Sequence, residues 1–328
     1  MTLSRLTAAI LGMALAPAIV GAQLSDPQQA EQAELLAWVR TLQLQARTDQ
    51  ARAVCDMILA ADPSCAAALV QRGIIELGDS QVEQARASFD AALRSRPGDP
   101  LALVGRAHAL HELGQTDRAL REATRAAALC TEALEADVTD AEACYVRALA
   151  ELLLQQQSEA LRDLAMATDL DPTLVEALVE RAQIQRQRGR LDRAFDHLTR
   201  AVELRPDYAV AYLERGRVAF ESKDLRAALA DCDRALEINP QFARAWHNRG
   251  LVNLQLGDPT AAVSDLTHAI EAQPGYASAH YYRGEAYYQA GNRAAARADW
   301  ETARELAPDE WAGQTAAEML RRSDVGEL

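Results

Sequence analysis

The chain has 328 residues, of which 49% are apolar and only 5% aromatic, with 16 glycines and 11 prolines. This alanine-rich composition favours closely packed helices over sheets. The net charge is −14, and the single lysine is Lys223. An acidic chain without basic clusters is a poor match for the phosphate backbone of nucleic acids, so no nucleic-acid partner is expected. A phosphate-binding loop or a Schiff-base site would have to use Lys223, which lies outside any glycine-rich loop.

The N-terminal stretch has the layout of a cleaved secretory signal. Arg5 supplies a positive charge, an apolar run broken by Pro17 follows, and small residues end at Ala22. The run has about 15 apolar residues, whereas a membrane anchor, the alternative interpretation, needs about 20. We therefore expect a signal peptide over 1–22, a linker over 23–31, and a periplasmic or secreted protein that does not span a membrane after cleavage.

An Arg-Gly or Arg-Ala dipeptide recurs along the rest of the chain. Its arginines are separated by 34 residues in five intervals and by 41 in one, and they are Arg72, Arg106, Arg147, Arg181, Arg215, Arg249 and Arg283. Alignment on this step gives blocks that start at residues 32, 66, 100, 141, 175, 209, 243 and 277. In each block two apolar stretches of helical period flank a short break, which predicts a helix-turn-helix unit.

Two stretches, AYLERGRVAFESKDLRAALADCDRALEINP and AHYYRGEAYYQAGNRAAARADWETARELAP, resemble tetratricopeptide repeats (TPRs). In the last block the residues that match the family pattern are Gly284, Tyr287, Gly291, Ala296, Trp300, Ala303 and Pro308. The resemblance covers residues 32–310 and is to TPR proteins of the exported bacterial type. It implies an all-α fold, a right-handed superhelical solenoid of about eight units, followed by a C-terminal capping helix and tail over 311–328.

Four of the recurring arginines have an aspartate sixteen residues later. The pairs are Arg147–Asp163, Arg215–Asp231, Arg249–Asp265 and Arg283–Asp299. In an antiparallel hairpin these two positions lie level, so each pair is predicted to join the two helices of its unit. Arg181 instead faces His197, and Arg72 faces Ser88. The alternative is a row of guanidiniums that binds an anionic ligand, although paired charges are more often structural.

The longest interval contains residues 117–143, a continuous helix-forming sequence without glycine or proline. Seven extra residues are two helical turns, and they rotate the apolar face by only about 20°. The second helix of the third block is therefore predicted to run for about 20 residues, or about 30 Å. This extension is either a tolerated insertion or a docking element.

The five cysteines, at positions 55, 65, 130, 144 and 232, are an odd number for an oxidising compartment and show no CxxC spacing. Cys130 and Cys144 flank the same predicted turn at similar distances, so we predict a disulfide between them. The alternative is that Cys130 points into the core as a small apolar side chain.

The sequence contains no motif of the HExxH, GxSxG or GxGxxG type. His108 and His111 are three residues apart on a predicted helix, a spacing that can hold a metal. Because no third ligand is evident, both are interpreted as exposed helix positions, and neither a metal nor a cofactor is expected. The repeats occupy nearly all of the chain after the predicted signal, which argues against an enzyme.

The resemblance implies a concave face lined by block positions two, five, nine, twelve and thirteen of each first helix. The candidate partner-binding residues at these positions are Tyr145, Arg186, Arg217, Phe220, Arg244, His247, Tyr281 and Tyr288. The lysines and asparagines with which some TPR domains clamp a terminal carboxylate are missing from positions five and nine. We expect a non-catalytic scaffold or adaptor in the cell envelope that binds a protein or peptide through this face. The alternative is an accessory subunit of an envelope or secretion complex that binds carbohydrate or peptidoglycan through the aromatic side chains.

Overall fold

The computed structural model describes residues 27–324, which form seventeen α-helices and no strand. The helices in chain order are α1 (Pro27–Leu44), α2 (Thr48–Ala61), α3 (Ala66–Gly78), α4 (Val82–Ser95), α5 (Pro100–Glu112), α6 (Thr116–Ala136), α7 (Ala141–Leu153), α8 (Gln157–Leu170), α9 (Val175–Gln187), α10 (Leu191–Leu204), α11 (Ala209–Glu221), α12 (Leu225–Ile238), α13 (Ala243–Leu256), α14 (Pro259–Ala272), α15 (Ala277–Gln289), α16 (Arg293–Leu306) and α17 (Trp311–Asp324). Consecutive helices pack against each other, and in most cases the first helices of adjacent units also touch. The predicted all-α repeat solenoid is therefore confirmed.

The hairpins follow the blocks seen in the sequence. The first helices of units two to eight are α3, α5, α7, α9, α11, α13 and α15, and they begin at residues 66, 100, 141, 175, 209, 243 and 277. The second helix of unit three is α6, and its 21 residues exceed the 14 of the other second helices by the two turns expected from the long interval. The insertion thus lengthens one helix without breaking the repeat.

Close approach of two helices explains the glycine of the recurring dipeptide. A Cβ built on Gly250 would lie 2.8 Å from Cγ of Leu266, and one on Gly284 would lie 2.6 Å from Cδ1 of Trp300. Leu266 and Trp300 come from the second helix of the same unit, and both are buried. In these two units a side chain at the glycine position would therefore push the two helices apart.

Alanine fills the matching position of the second helix. At block position twenty every unit has an alanine that is at most 3% exposed, and the eight residues are Ala51, Ala85, Ala119, Ala160, Ala194, Ala228, Ala262 and Ala296. Because protein interiors are packed without room for extra atoms, a small side chain on each helix keeps the hairpin tight.

The helices at the two ends of the array differ in detail from the predicted boundaries. α1 begins at Pro27, so residues 27–31 belong to the first helix and the predicted linker over 23–31 is too long. Proline suits the first turn of a helix, and the Gln, Ala and Glu residues that follow are strong helix formers. α17 begins at Trp311, 34 residues after the start of α15, and packs against α15 and α16 as the first helix of a ninth unit would. The signal peptide predicted over 1–22 lies outside the described residues.

Candidate functional site

The four arginine–aspartate pairs are bidentate ion pairs that join the two helices of each hairpin. Arg249 donates from Nε and Nη2 to the carboxylate of Asp265 at 3.1 and 2.7 Å. The corresponding distances are 2.5 and 2.9 Å in Arg147–Asp163, 2.9 and 2.7 Å in Arg215–Asp231, and 2.7 and 2.7 Å in Arg283–Asp299. All four aspartates are at most 6% exposed. These guanidiniums are thus held within the hairpins, which does not fit the alternative of an open row for an anionic ligand.

Each of these arginines also reaches the unit before its own, a contact that the sequence did not predict. The Nη1 atom donates to a side chain sixteen residues earlier, at 3.3 Å in Arg147–Thr131, 3.3 Å in Arg215–Thr199, 2.7 Å in Arg249–Asp233 and 3.2 Å in Arg283–Thr267. Arg106 makes a similar double contact, with Asp90 at 2.9 Å and Glu122 at 2.7 Å. Each arginine therefore ties three helices together. The earlier partner changes between threonine and aspartate, which hid the pattern in the sequence.

Unit five departs from this arrangement. Arg181 has His197 at the usual spacing and donates instead to Oγ1 of Thr168 at 2.9 Å. Burial lowers the pKa of Arg181. Burial, together with the charge of Arg181, lowers the pKa of His197 to about 4, so the imidazole is neutral near pH 7 and does not repel the guanidinium.

Three of the candidate partner-binding residues stand at block position five and are not open to a partner. The His247 side chain is buried, with its ring 4.9 Å from that of Tyr276, and burial lowers its pKa to about 4. The ring of Tyr281 lies 5.2 Å from that of Trp311 in α17. Tyr145 packs between two apolar clusters, and burial raises its pKa well above the ordinary value. His247 and Tyr281 are thus buried and Tyr145 is half-buried, so none of the three presents an open ring.

The three candidate arginines are all engaged with glutamates on the concave side of units five to seven. Arg186 donates to Glu221 at 2.8 Å. Arg217 and Arg244 both donate to Glu214, at 3.0 and 3.1 Å, and the Glu214 side chain is only 4% exposed. Since Glu214 belongs to α11 and Arg244 to α13, this carboxylate fixes two neighbouring first helices relative to each other.

A pocket of about 100 Å³ opens between α11 and α13 beside these arginines. Its lining residues are Gly216, Arg217, Phe220, Glu221, Asn248 and Leu251. Phe220 and Leu251 are half-buried and form apolar walls, whereas Arg217, Glu221 and Asn248 supply charge and hydrogen-bonding groups. Of the candidate residues, Arg217 and Phe220 line the pocket directly. Asn248 and Leu251 were not among them, although Leu251 stands at a position that the family resemblance assigns to the concave face.

Tyr288, the last candidate residue, belongs to unit eight and is not part of the pocket. Its ring lies 6.0 Å from that of Trp300, and its side chain is half-buried against the cluster that α17 completes. The structure therefore brings together only part of the predicted binding face, in units five to seven.

Among the described residues, no group of three or more His, Cys, Asp or Glu side chains is arranged to hold a metal ion. His108 and His111 are both exposed, and Nε2 of His108 lies 3.7 Å from Oε1 of Glu112. The two histidines thus lie on an exposed helix surface, and no third described side chain is placed to bind a metal ion together with them.

All five cysteines are buried free thiols, so Cys130 and Cys144 do not form the predicted disulfide. The two side chains pack into different apolar clusters, and both are fully buried there as small apolar residues. Burial raises the pKa of Cys130 to about 12. The reactive thiolate is therefore suppressed near neutral pH.

Tetratricopeptide repeat models match the chain along most of the described helices. One model matches residues 36–100, 70–130, 155–209 and 179–243, and two others match 216–281 and 277–310. The first of these models alone covers more than half of the sequence. The chain belongs to the tetratricopeptide repeat family. A search of curated proteins finds no match to this TPR protein.

Several solved structures are similar to this TPR protein. The crystal structure of the APC/C hetero-tetramer Cut9–Hcn1 matches at 17% identity with a TM-score of 0.63, over 90% of this chain and 56% of that chain. The TPR protein thus spans about half the length of that relative. MamA matches at 26% identity and a TM-score of 0.45, over 48% of this chain and 93% of its own. YrrB, a TPR protein with an unusual peptide-binding site, matches at 23% identity and a TM-score of 0.47, over 58% of this chain and 97% of its own.

TPR proteins generally act as non-catalytic scaffolds that bind proteins or peptides. Within residues 27–324 the structure has no helix that is both long enough and apolar enough to cross a membrane.

Proposed function

We propose that this TPR protein is a non-catalytic scaffold that binds an extended segment of a partner protein on the concave side of α11 and α13. The observation that carries the proposal is the pocket walled by Phe220 and Leu251. A concave apolar site with a few polar groups at its rim is the usual form of a binding site. The glutamate contacts of Arg217 and Arg244 hold the rim in place before any partner arrives, which reduces the entropy lost on binding.

The chemistry of the pocket indicates what kind of segment it accepts. We expect a large apolar side chain of the partner to bind between Phe220 and Leu251, because it would be transferred there from water to an apolar surface. Arg244 keeps about half of its side chain exposed, and Asn248 carries amide donors, so both can donate to carbonyl groups of an extended backbone. Aromatic and arginine side chains are enriched among the residues that dominate protein recognition. An apolar residue within an extended peptide is therefore the proposed determinant.

The alternative function, binding of carbohydrate or peptidoglycan, would need aromatic rings that are open to a sugar. Tyr281 is buried under α17, and Tyr145 is packed between apolar clusters. Phe220 and Tyr288 stay half-buried in different units. These four candidate rings do not form one continuous platform, so they support a protein or peptide at this site better than a polysaccharide.

We also propose that the scaffold works in the periplasm or outside the cell, as an adaptor of the cell envelope. The support for this location is the signal-like layout of residues 1–22. Mass spectrometry of the protein from its native cells should find an N-terminus at or near Gln23. A mature chain that still carries Met1 would contradict the proposed location and leave the binding proposal standing.

The binding proposal is tested with an array of synthetic peptides that vary the apolar residue and its neighbours. Binding of the best peptide is then measured by fluorescence anisotropy to the wild-type protein and to Leu251→Asp. The matched control is Leu256→Asp, because Leu256 lies at the end of the same helix and is 49% exposed outside the pocket. We expect Leu251→Asp to weaken binding about tenfold or more and Leu256→Asp to leave it unchanged. Equal affinities of both variants, or no peptide bound, would reject the site.

A further inference from the structure

The turn between α1 and α2 lies against a distant part of the same chain. Leu44, the last residue of α1, is only 4% exposed and packs with Val175 and Leu178 of unit five. The apolar cluster of its own unit contains Val39 and Leu42 but not Leu44. Leu44 is therefore buried by unit five, more than 130 residues away in sequence.

Polar contacts surround this apolar anchor on both sides. They are Arg40 Nε to Glu176 Oε1 at 2.8 Å, Gln45 Nε2 to Asp207 Oδ2 at 3.2 Å, Arg47 Nη2 to the carbonyl of Ile238 at 3.0 Å, and Asn239 Nδ2 to the carbonyl of Ala46 at 2.9 Å. The partners belong to the beginning of unit five and to the turns that precede units six and seven. We call residues 40–47 and these partners the clasp.

The clasp differs in kind from every other contact between units. In a solenoid each unit packs on its sequence neighbours, and the stability of the array comes from those neighbouring contacts. The clasp instead joins unit one to units five to seven, across the turn of the solenoid. Its loss would leave the hairpin of unit one packed on α3, and the hairpin of unit five packed on units four and six. Neither hairpin needs the clasp in order to stay folded.

We propose that the clasp is a latch that holds the solenoid closed and can open while all hairpins stay folded. The contact is small: its apolar side chains are Leu44 and Ala46, and its Arg40 side chain is 53% exposed. Arg40 and Glu176 both stand at block positions of the concave face, nine and two, so the closed latch brings opposite walls of that face together. Opening separates the walls and widens access to the concave side of the first five units.

The latch does not rest on the proposed binding function. Its residues are separate from the pocket lining, and it is defined by contacts that join two parts of one chain. It adds a conformational step that TPR arrays held only by neighbouring units do not need. A partner that binds the open form better would shift the equilibrium toward it by its difference in affinity for the two forms.

Small-angle X-ray scattering of the full chain tests the latch. The variant Arg40→Glu/Leu44→Asp places a carboxylate opposite Glu176 and removes the apolar anchor. The matched control, Arg162→Glu/Leu170→Asp, makes the same two changes on exposed positions of α8. We expect the latch variant to gain radius of gyration and maximum dimension over the wild type, with an unchanged circular dichroism spectrum, and the control to match the wild type. Equal dimensions of all three proteins would overturn the latch.

A second variant provides an independent test if the first one loses part of its helical structure. Glu176→Arg/Asp207→Arg changes the opposite side of the clasp and turns the Arg40–Glu176 attraction into repulsion. The same expansion is expected from this variant. Combining Arg40→Glu with Glu176→Arg restores an opposite-charge pair and should return the dimensions of the wild type. A folded variant of either side that stays as compact as the wild type would overturn the proposal.

Discussion

Arg249 and Asp265 lie sixteen residues apart in sequence and join the two helices of unit seven through two parallel hydrogen bonds of 3.1 and 2.7 Å. The Asp265 carboxylate also accepts from Asn253 at 2.8 Å, and it is only 3% exposed. The arginine meanwhile reaches Asp233 of unit six at 2.7 Å. The recurring Arg-Gly step is thus a joint: its glycine lets the helices approach, and its arginine binds three of them.

Asp265→Ala should destabilise the array because it removes a buried partner from Arg249. Exposed pairs contribute about 0–1 kcal/mol, and breaking a buried pair costs about 3–5 kcal/mol. Arg249 would keep Asp233, so we expect an intermediate loss of about 1–2 kcal/mol in the free energy of unfolding, measured by denaturant melts. The control Asp233→Ala, at an exposed carboxylate, should lose less than 1 kcal/mol.

A double-mutant cycle with Arg249→Ala separates the interaction between the two side chains from the other effects of each substitution. Because the two residues share one interaction, Asp265→Ala and Arg249→Ala together should lose less stability than the sum of the single losses. Strictly additive losses would mean that the ion pair contributes nothing to the hairpin.

Gly250→Ala should cost about 1–3 kcal/mol of unfolding free energy, since its new Cβ would lie 2.8 Å from Cγ of Leu266 and overpack the seam. Gly78→Ala is the matched control, because Gly78 ends α3 and a Cβ there meets no atom within 4 Å. Thermal or denaturant melts of both variants decide the point. A loss at Gly250 no greater than at Gly78 would show that close approach does not explain the recurring glycine.

The sequence predicted local features well where one residue type recurs at one spacing. The alternation of helices and the Arg–Asp joints follow from such repetition, as does the length of α6. The burial of His247 and Tyr281, at block position five, was not predicted because it depends on how the next unit is docked. The contact of Leu44 with unit five depends on the twist summed over four units, which no local pattern records.

Glu151 makes the stability of the array depend on pH. Burial, aided by the nearby Asp163 charge, raises the pKa of Glu151 from 4.5 to about 7 in the folded protein, and one of its oxygens is buried without a hydrogen-bond partner. Between those two pKa values the folded state binds more protons than the unfolded state, so this residue's contribution to stability falls as the pH rises. Glu151→Gln removes this loss of stability at higher pH, because glutamine does not ionise.

Denaturant melts at about pH 5 and about pH 8 should therefore show a larger benefit of Glu151→Gln at the higher pH. Glu135→Gln, at an exposed position of α6, serves as a control and should change stability equally at both values. A benefit of Glu151→Gln that does not grow with pH would contradict the raised pKa of this carboxyl group.

The measurement that tests the account most directly is site-specific photo-crosslinking in the native cells. A photoreactive amino acid replaces Leu251 in one strain and Leu256 in another, so that the same helix carries the probe either in the concave pocket or outside it. Partner recognition through the pocket predicts a discrete crosslinked protein from position 251, lost when Phe220→Asp is added, and none from position 256. Crosslinking that is equal from both positions, or absent from position 251, would contradict a binding site between α11 and α13.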